Sequence, residues 1–388
     1  MKSIIRAGIA LGADNPLKKV YVGVNEGKIE VVSNEELAGY EDAELDIGGW
    51  DRLLSPGFIS IHTFITLYPF RFRIFYGKIN ANDLLSVMSN NDVYHLALLG
   101  AYHLLRSGVT TVVFSDKYPD PVARAVTNVG LRPIIAIPVG CNNSPDDWEK
   151  EFKAMYNRWS HSGSNNVILK LCDQSLSKEV FDVAKSTNIV VLVERTVNLS
   201  SFRKDELPEN IIALGGGSRS DLDYIKKYKI YLSFTPSLEI SRFPLSEYKP
   251  SLALDLVPSF DIRQEIALAS TRLMLTPEEA FRSITIWGHQ QLGLNAGYLG
   301  INSDADLIIY EYREPPAFPL DYNSPYESLI YSGYNIETVF VGGESVLDGG
   351  VPLNVGLKDV EEGLRRVEEI DKRLGERIRS LEKSRDNR

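Results

Sequence analysis

From Leu54 onward, most of the sequence alternates short apolar runs with segments of helix length. Runs such as VTTVVF, RPIIAIPV and NVILKL are each followed by a stretch whose apolar residues recur every three or four positions. Strands that alternate with helices are typical of βαβ units and a parallel sheet, and about eight such units close a barrel. We therefore predict an α/β fold whose main body is a TIM-type (β/α)8 barrel.

The two ends of the chain have a different pattern. Before residue 48, the short runs SIIRAGIAL, KVYVGV and KIEVV are separated by turn residues, and after residue 300 strand-like runs return in DADLIIYEY, TVFVGG and ESVLDGG. This spacing indicates β-hairpins. We predict a small β-sandwich domain, built from residues 1–53 and 301–356, beside a barrel of residues 54–300.

Three segments have clear helical periodicity. Residues 92–107 end before Gly108, a residue typical of helix C-termini. Residues 276–292 are predicted as one helix, with Thr276 and Glu279 as a capping box. Residues 357–388 form an amphipathic helix that either docks on its own barrel or makes a short intermolecular coiled coil.

The net charge and the cysteines limit the kinds of partner and of cysteine-based site that we expect. A net charge of -10 disfavours nucleic acids and membrane surfaces, because both are polyanions. No run approaches the ~18 apolar residues of a membrane span, and the N-terminal segment lacks a signal-peptide cleavage pattern. Cys141 and Cys172 are far apart without CxxC spacing, so we expect neither a zinc ribbon nor a disulfide framework. A cytoplasmic location is expected.

Several segments resemble one known family. LLSPGFISIHTF resembles the signature that ends the first barrel strand in the amidohydrolase superfamily, especially its deaminase and chlorohydrolase-like branch. HLLRSGVTTVVF, TPEEAFRSITIWGHQQLGLNAGYLGINSDADLIIYE and TVFVGGESVLDGG resemble later family segments in the same order. The resemblance covers about residues 1–350. It implies a divalent cation, usually zinc or iron, at the C-terminal mouth of the barrel, where it activates water for attack on a carbonyl or amidine-like carbon.

Three positions of the family site are retained. His62 matches the first histidine of the HxH motif after strand 1, and Glu194, in NIVVLVERT, matches the glutamate that shuttles protons. Asp255, in SLALDL, matches the aspartate that follows strand 8. The resemblance therefore implies a remnant site with His62, Glu194 and Asp255 as its catalytic residues.

Three other ligand positions have lost their imidazole. Phe64 takes the second position of HxH, Val191 that of the strand 5 histidine, and the strand 6 histidine should fall near Gly215. Because these side chains donate no electron pair to a metal, we expect no cofactor, with zinc or iron held only if the three retained residues act together as ligands. The other histidines are interpreted as structural or surface residues: His95, His103, His161 and His289.

Two segments near the predicted mouth allow alternative interpretations. An aromatic and basic stretch follows strand 1 and either binds a planar or anionic small molecule or forms a packed lid; the candidate substrate-binding residues are Arg71, Phe72, Arg73 and Tyr76. The run GGGSRSD at residues 215–221 either forms a phosphate-binding nest or, as we favour, a turn at a strand end.

Two functions follow from these observations. The first is a non-catalytic relative that binds a small molecule or regulates a partner, as a homodimer or paired with an active paralogue; it is favoured because packing motifs are kept while strand-end residues are lost. The alternative is a hydrolase that acts on C–N bonds of a small molecule at an altered site. There, Asp255 is the general base and His62 or Glu194 the acid.

Overall fold

The computed structural model describes residues 2–160, 166–215, 219–241, 243–313, 315, 317–318 and 320–386. In chain order its strands are β1 (Ser3–Ala10), β2 (Leu17–Asn25), β3 (Lys28–Ser33), β4 (Leu45–Pro56), β5 (Phe58–Ser60), β6 (Val109–Phe114), β7 (Arg132–Val139), β8 (Val167–Leu171), β9 (Val191–Glu194), β10 (Ile211–Leu214), β11 (Tyr231–Phe234), β12 (Ser251–Leu252), β13 (Leu307–Glu311), β14 (Asn335–Val341), β15 (Glu344–Asp348) and β16 (Val351–Pro352). Its α-helices are α1 (Arg71–Phe75), α2 (Ala81–Ser86), α3 (Asn90–Arg106), α4 (Pro119–Val129), α5 (Trp148–Trp159), α6 (Ser177–Thr187), α7 (Arg219–Tyr228), α8 (Ile262–Arg272), α9 (Pro277–Ser283), α10 (Ile286–Gln291), α11 (Pro325–Tyr331) and α12 (Leu357–Asp386).

Strands β5 to β12 form a parallel sheet in sequential order that is nearly closed. The first and last strands meet where the backbone N–H of Ile61 donates to the carbonyl of Leu252 at 3.0 Å and that of Leu254 donates to the carbonyl of His62 at 3.1 Å. Both faces of these strands are buried, which explains their continuous apolar runs. The predicted TIM-type barrel is confirmed, and the carboxyl ends of its strands share one mouth.

The flanking sheet joins the two chain ends. Its order is β16-β15-β14-β13-β4-β1-β2-β3, with β1 parallel to β4 and β13 antiparallel to β4. The predicted β-domain built from both ends is therefore confirmed; it forms a mixed sheet of eight strands. The limits predicted for the two domains stay predictions, since β4 runs on to Pro56 without a break.

The tail helix α12 docks on the barrel helix α3. Ile370 and Leu374 are fully buried, and Arg373 donates to the carboxylate of Asp92 at 2.9 Å. A Cβ atom on Gly363 would lie 2.8 Å from the side chain of Leu99, so glycine permits the close approach of the two helices. The apolar face of this amphipathic helix is thus buried within the same chain.

One helix boundary was predicted wrongly. The capping box of Thr276 and Glu279 is present, but the helix ends at Ser283 and a second one begins at Ile286. Thr285 breaks the run with φ -123° and ψ -107°. The apolar periodicity continues across this break, so the pattern alone did not reveal it.

The expectation about the cysteines is also wrong. Cys141 follows β7 and Cys172 follows β8, and the two are joined by a disulfide with 5.0 Å between their Cα atoms. The reason is topological, because neighbouring parallel strands end at the same edge of a sheet even when their residues are far apart in sequence. The bond ties two strand ends together at the barrel mouth.

Among the helices of the described residues, none has the length and apolar character needed to cross a membrane.

Candidate active site

The barrel closure places His62 and Asp255 side by side. The carbonyl of His62 accepts hydrogen bonds from the backbone N–H groups of Leu254 and Asp255, the latter at 2.9 Å. Asp255 has a φ of 48°, in the left-handed region that costs most non-glycine residues about 1–2 kcal/mol and that aspartate and asparagine adopt more readily than others. Strained backbone at a strand end is typical of functional positions, because the surrounding structure must hold it there.

A chain of polar contacts runs across the mouth from this pair. Nδ1 of His62 lies 3.4 Å from Oδ1 of Asp255, and Nε2 lies 2.8 Å from Oγ of Ser115 and 2.9 Å from Nζ of Lys170. The Lys170 ammonium is in turn 3.3 Å from Oε2 of Glu194. The three predicted catalytic residues are therefore brought together, and Lys170 links Glu194 to His62.

Burial and charge set the ionisation of this network. Burial lowers the pKa of His62, and the positive charge of Lys170 lowers it further against the opposing effect of Asp255. Burial raises the pKa of Asp255, but its hydrogen bond to His62 and the charges of Lys170 and Arg195 outweigh that effect, so the net shift is downward. At neutral pH the imidazole is therefore neutral and Asp255 is a carboxylate.

The tautomer of His62 follows from its neighbour. An ammonium group only donates hydrogen bonds, so Nε2 of His62 accepts from Lys170. In the neutral ring the remaining proton is then on Nδ1, directed at the carboxylate of Asp255. The Nδ1–H group of His62 thus orients the carboxylate of Asp255.

The donor set in this arrangement does not fit a zinc or iron ion. Within the described part of the chain, no cluster of three or more His, Cys, Asp or Glu side chains is placed to hold a metal. Nε2 of His62 is engaged by an ammonium group, which has no electron pair to offer. The ring of Phe64 packs edge-on against His62, with 4.9 Å between centroids, where the second histidine of HxH would stand. A catalytic zinc site ordinarily has three protein ligands.

Two adjacent clefts open over these residues. The smaller has a volume of about 20 Å³, which is room for about one water molecule, and is lined by His62, Glu194 and Asp255 among others. The larger, of about 460 Å³, shares Glu194 and Gly215 with it. The side chains of Asp255 and Glu194 are 30% and 24% exposed, whereas those of His62 and Lys170 are only 3% and 4% exposed. Asp255 and Glu194 can therefore meet a small molecule, with His62 and Lys170 beneath them.

The aromatic and basic stretch after strand 1 lies elsewhere. Arg71 donates to the carbonyl of Pro258 at 2.8 Å, and Arg73 pairs with Asp371 of the tail helix. Among the described residues, neither cleft at the mouth is lined by any of the four predicted substrate-binding residues: Arg71, Phe72, Arg73 and Tyr76. Their proposed role stays a prediction that these contacts do not support.

The remaining histidines behave as interpreted where the structure describes them. His289 is fully buried, with Nδ1 2.8 Å from the carbonyl of Thr285, and Nε2 of His103 is 3.0 Å from the carbonyl of Phe260. His161 lies outside the described residues. So do residues 216–218 of the glycine run.

Lys170 and Ser115 were missed by the sequence analysis. Lys170 is the one charged residue of β8, VILKL, in which every residue is buried. A lysine in such a run is a recognisable signal, because this side chain is almost never fully buried unless it is paired. Ser115 follows β6, and nothing in its local sequence marks it.

Comparison with known proteins gives relatives along nearly the whole chain. No family model matches the chain. It is 26% identical to a 5-methylthioadenosine/S-adenosylhomocysteine deaminase of Pyrococcus furiosus, over 94% of this chain and 99% of that protein. It is 24% identical to a 5'-deoxyadenosine deaminase of Methanothermobacter thermautotrophicus, over 90% of this chain and 94% of that protein.

Solved structures with the same fold include two zinc proteins. Atrazine chlorohydrolase from Arthrobacter aurescens, complexed with zinc, matches with a TM-score of 0.80 and 14% identity over 94% of this chain and 100% of that one. An adenosine deaminase from Xanthomonas campestris with bound zinc matches with a TM-score of 0.79 and 15% identity over 95% of this chain and 98% of that one.

The named deaminases among its relatives, together with the fold that it shares with these zinc proteins, support the resemblance of this chain to the amidohydrolase superfamily, in its deaminase and chlorohydrolase-like branch.

The interpretation as a non-catalytic relative is wrong. Relatives at 24–26% identity over at least 90% of the chain are named deaminases, which favours the enzymatic alternative. The loss of imidazole ligands does not remove all catalytic groups from this site. A buried lysine joins His62 and Asp255 to Glu194, so that positioned acid–base groups remain at the mouth.

Proposed function

We propose that this protein is a hydrolase that acts on a carbon–nitrogen bond of a small molecule, and that it is a deaminase of an amino-substituted nitrogen heterocycle. The observation that carries this proposal is the contact chain from Asp255 through His62 and Lys170 to Glu194 beneath an open cleft. The deaminase names of its relatives support the reaction class.

In this proposal Asp255 is the general base. Its carboxylate takes one proton from a water molecule as the water oxygen bonds to the amidine-like carbon, and the electron pair of the C=N bond moves to the ring nitrogen. When that pair returns, the bond to the amino group breaks, and the proton held by Asp255 leaves with it as ammonia. Glu194 faces the same cleft and accepts a hydrogen bond from the amino group. His62 keeps Asp255 oriented throughout.

The metal content and the cellular location of the protein are more detailed parts of the proposal. Both structural neighbours contain zinc, while the mouth residues that the structure describes are not arranged as such a site. A cytoplasmic location stays a prediction. The Cys141–Cys172 disulfide is evidence against a cytoplasmic location, because disulfides are rare in reducing compartments outside hyperthermophiles. The homodimer and the pairing with an active paralogue also stay predictions.

The test is ammonia release from a panel of amino heterocycles. Purified protein is incubated with 5'-deoxyadenosine, 5'-methylthioadenosine, S-adenosylhomocysteine, guanine and an aminotriazine, and ammonia is measured by a coupled assay. We expect at least one compound to release ammonia with the wild type and with Asp182→Asn, a matched change at an exposed aspartate of α6, but not with Asp255→Asn. Ammonia at the Asp255→Asn level from every compound would refute the proposal.

A further inference from the structure

We propose that Lys170 is a positioning residue of this active site, whose ammonium group takes the place that the family resemblance assigns to the metal ion. This inference rests on the proposed function. It adds a residue that the sequence analysis did not assign, and a fixed charge at the place that the resemblance assigns to the metal ion.

The location of the ammonium group is the first argument. Its three neighbours are Nε2 of His62 at 2.9 Å, Oε2 of Glu194 at 3.3 Å and the face of Phe64, with 5.1 Å from Nζ to the ring centroid. The resemblance gives His62 and Phe64 as the two HxH positions and Glu194 as the proton shuttle. The resemblance places these positions around the metal ion, so the ammonium group of Lys170 lies among the same groups.

The chemistry of the neighbours is the second argument. A ring nitrogen, a carboxylate and an aromatic face are each partners that a cation attracts. Of these, Phe64 is a poor metal ligand but a good partner for an ammonium group. The exchange of histidine for phenylalanine therefore suits a lysine-centred site.

Burial is the third argument. The Lys170 side chain is 4% exposed, in a strand whose other residues are apolar. A charged side chain is costly at such a position unless it is paired, and exchange for an apolar residue of similar volume is often neutral or stabilising. Fold stability therefore gives little reason to place lysine here, whereas a site that needs a fixed positive charge does.

Lys170 acts through its neighbours, because it lines neither cleft among the described residues. By donating to Nε2 of His62, it keeps the ring proton on Nδ1, which faces Asp255 at 3.4 Å. The carboxylate of Asp255 favours the same tautomer, because it only accepts hydrogen bonds. The hydroxyl of Ser115, 2.8 Å from Nε2, can either donate or accept, so it does not exclude a proton from Nε2. Lys170 is the group that does. Lys170 also holds Glu194 by charge at the edge of the cleft.

The experiment compares Lys170→Met, Lys170→Arg and Lys178→Met, an exposed lysine change on α6 that serves as the matched control. Steady-state kinetics use whichever amino heterocycle the wild type deaminates, and histidine ring ¹⁵N spectra report the tautomer of His62. We expect Lys170→Met to lower kcat by about 10- to 100-fold, the effect of losing a residue that orients a catalytic ligand, with KM changed less than about threefold. Lys170→Arg should restore part of kcat, and a proton on Nε2 of His62 should appear only in Lys170→Met.

The outcomes separate the two proposals. An active wild type whose kcat and unprotonated Nε2 of His62 are both unchanged by Lys170→Met would overturn the role of Lys170 and leave the deaminase proposal standing. An inactive wild type would overturn the deaminase proposal, and the tautomer spectra alone would then decide on Lys170. If Lys170→Met does not fold, the wild-type spectrum decides: an Nε2–H tautomer, or Nε2 bound to stoichiometric zinc added alone, overturns the inference.

Discussion

Asp116 gives the sharpest prediction about the support of the site. It is 3% exposed and follows Ser115, directly after the end of β6. Its carboxylate accepts the backbone N–H groups of Ile65 at 3.0 Å and Thr66 at 2.9 Å, which fixes the loop after His62. Burial raises the pKa of Asp116 to about 6, against the lowering effect of these hydrogen bonds. The change to test is Asp116→Asn, which keeps the shape and removes the charge.

The magnitude follows from the difference between the folded and unfolded pKa values. The pKa of Asp116 rises from 3.8 to about 6 on folding. At 1.36 kcal/mol per pKa unit, this shift corresponds to a free energy on the order of 3 kcal/mol. Because the folded pKa is the higher one, this stability is fully present below pH 3.8 and is lost as the pH rises through about 6. The wild type should lose it between these limits, and Asp116→Asn should not.

Urea unfolding of both proteins at several pH values between 4 and 7.5 measures this directly. The unfolding free energy of Asp116→Asn minus that of the wild type should rise by about 3 kcal/mol across the range, on top of a constant offset for the changed hydrogen bonds. Asp182→Asn should show no such rise. A difference for Asp116→Asn that stays constant with pH would refute the reasoning.

Two further predictions concern strain and the disulfide. Asp255→Asn should lower kcat by about 10²- to 10⁴-fold and should lose the stability that the charge contacts of the carboxylate provide. Asp255→Ala should lose about 1 kcal/mol of unfolding free energy more than Asp255→Asn, because asparagine tolerates the left-handed backbone and alanine does not; equal urea midpoints for the two variants would contradict the strain. Reduction of the Cys141–Cys172 bond, which closes a loop with a sequence separation of 31, should lower the unfolding free energy by about 3–4 kcal/mol. Identical midpoints with and without reductant, or two free thiols by mass spectrometry, would contradict that prediction.

The barrel and the flanking sheet could be predicted because their signals are local. Each apolar run carries the period of its own element, and the order of the runs gives the topology. The break at Thr285 could not be predicted, because the apolar spacing continues across it. The disulfide was missed because it depends on which strands are neighbours, and a spacing rule for cysteines contains no such information.

Part of the site could be predicted, because some of its residues stand in recognisable local segments. His62, Glu194 and Asp255 were found because each stands in a segment that resembles the family, and the structure brings them together. Lys170 was missed because its role arises only where β8 lies beside the ends of its neighbouring strands. The wrong prediction of a non-catalytic protein followed from counting metal ligands without this lysine.

We propose that the acid–base groups at this mouth hydrolyse a C–N bond. The rate of ammonia release by one preparation, with its metal content determined in parallel, is compared with that of Asp255→Asn purified in the same way. We expect turnover by the wild type without stoichiometric zinc or iron, and loss of turnover in the variant. Turnover that appears only with bound metal, or that survives in Asp255→Asn, would contradict it.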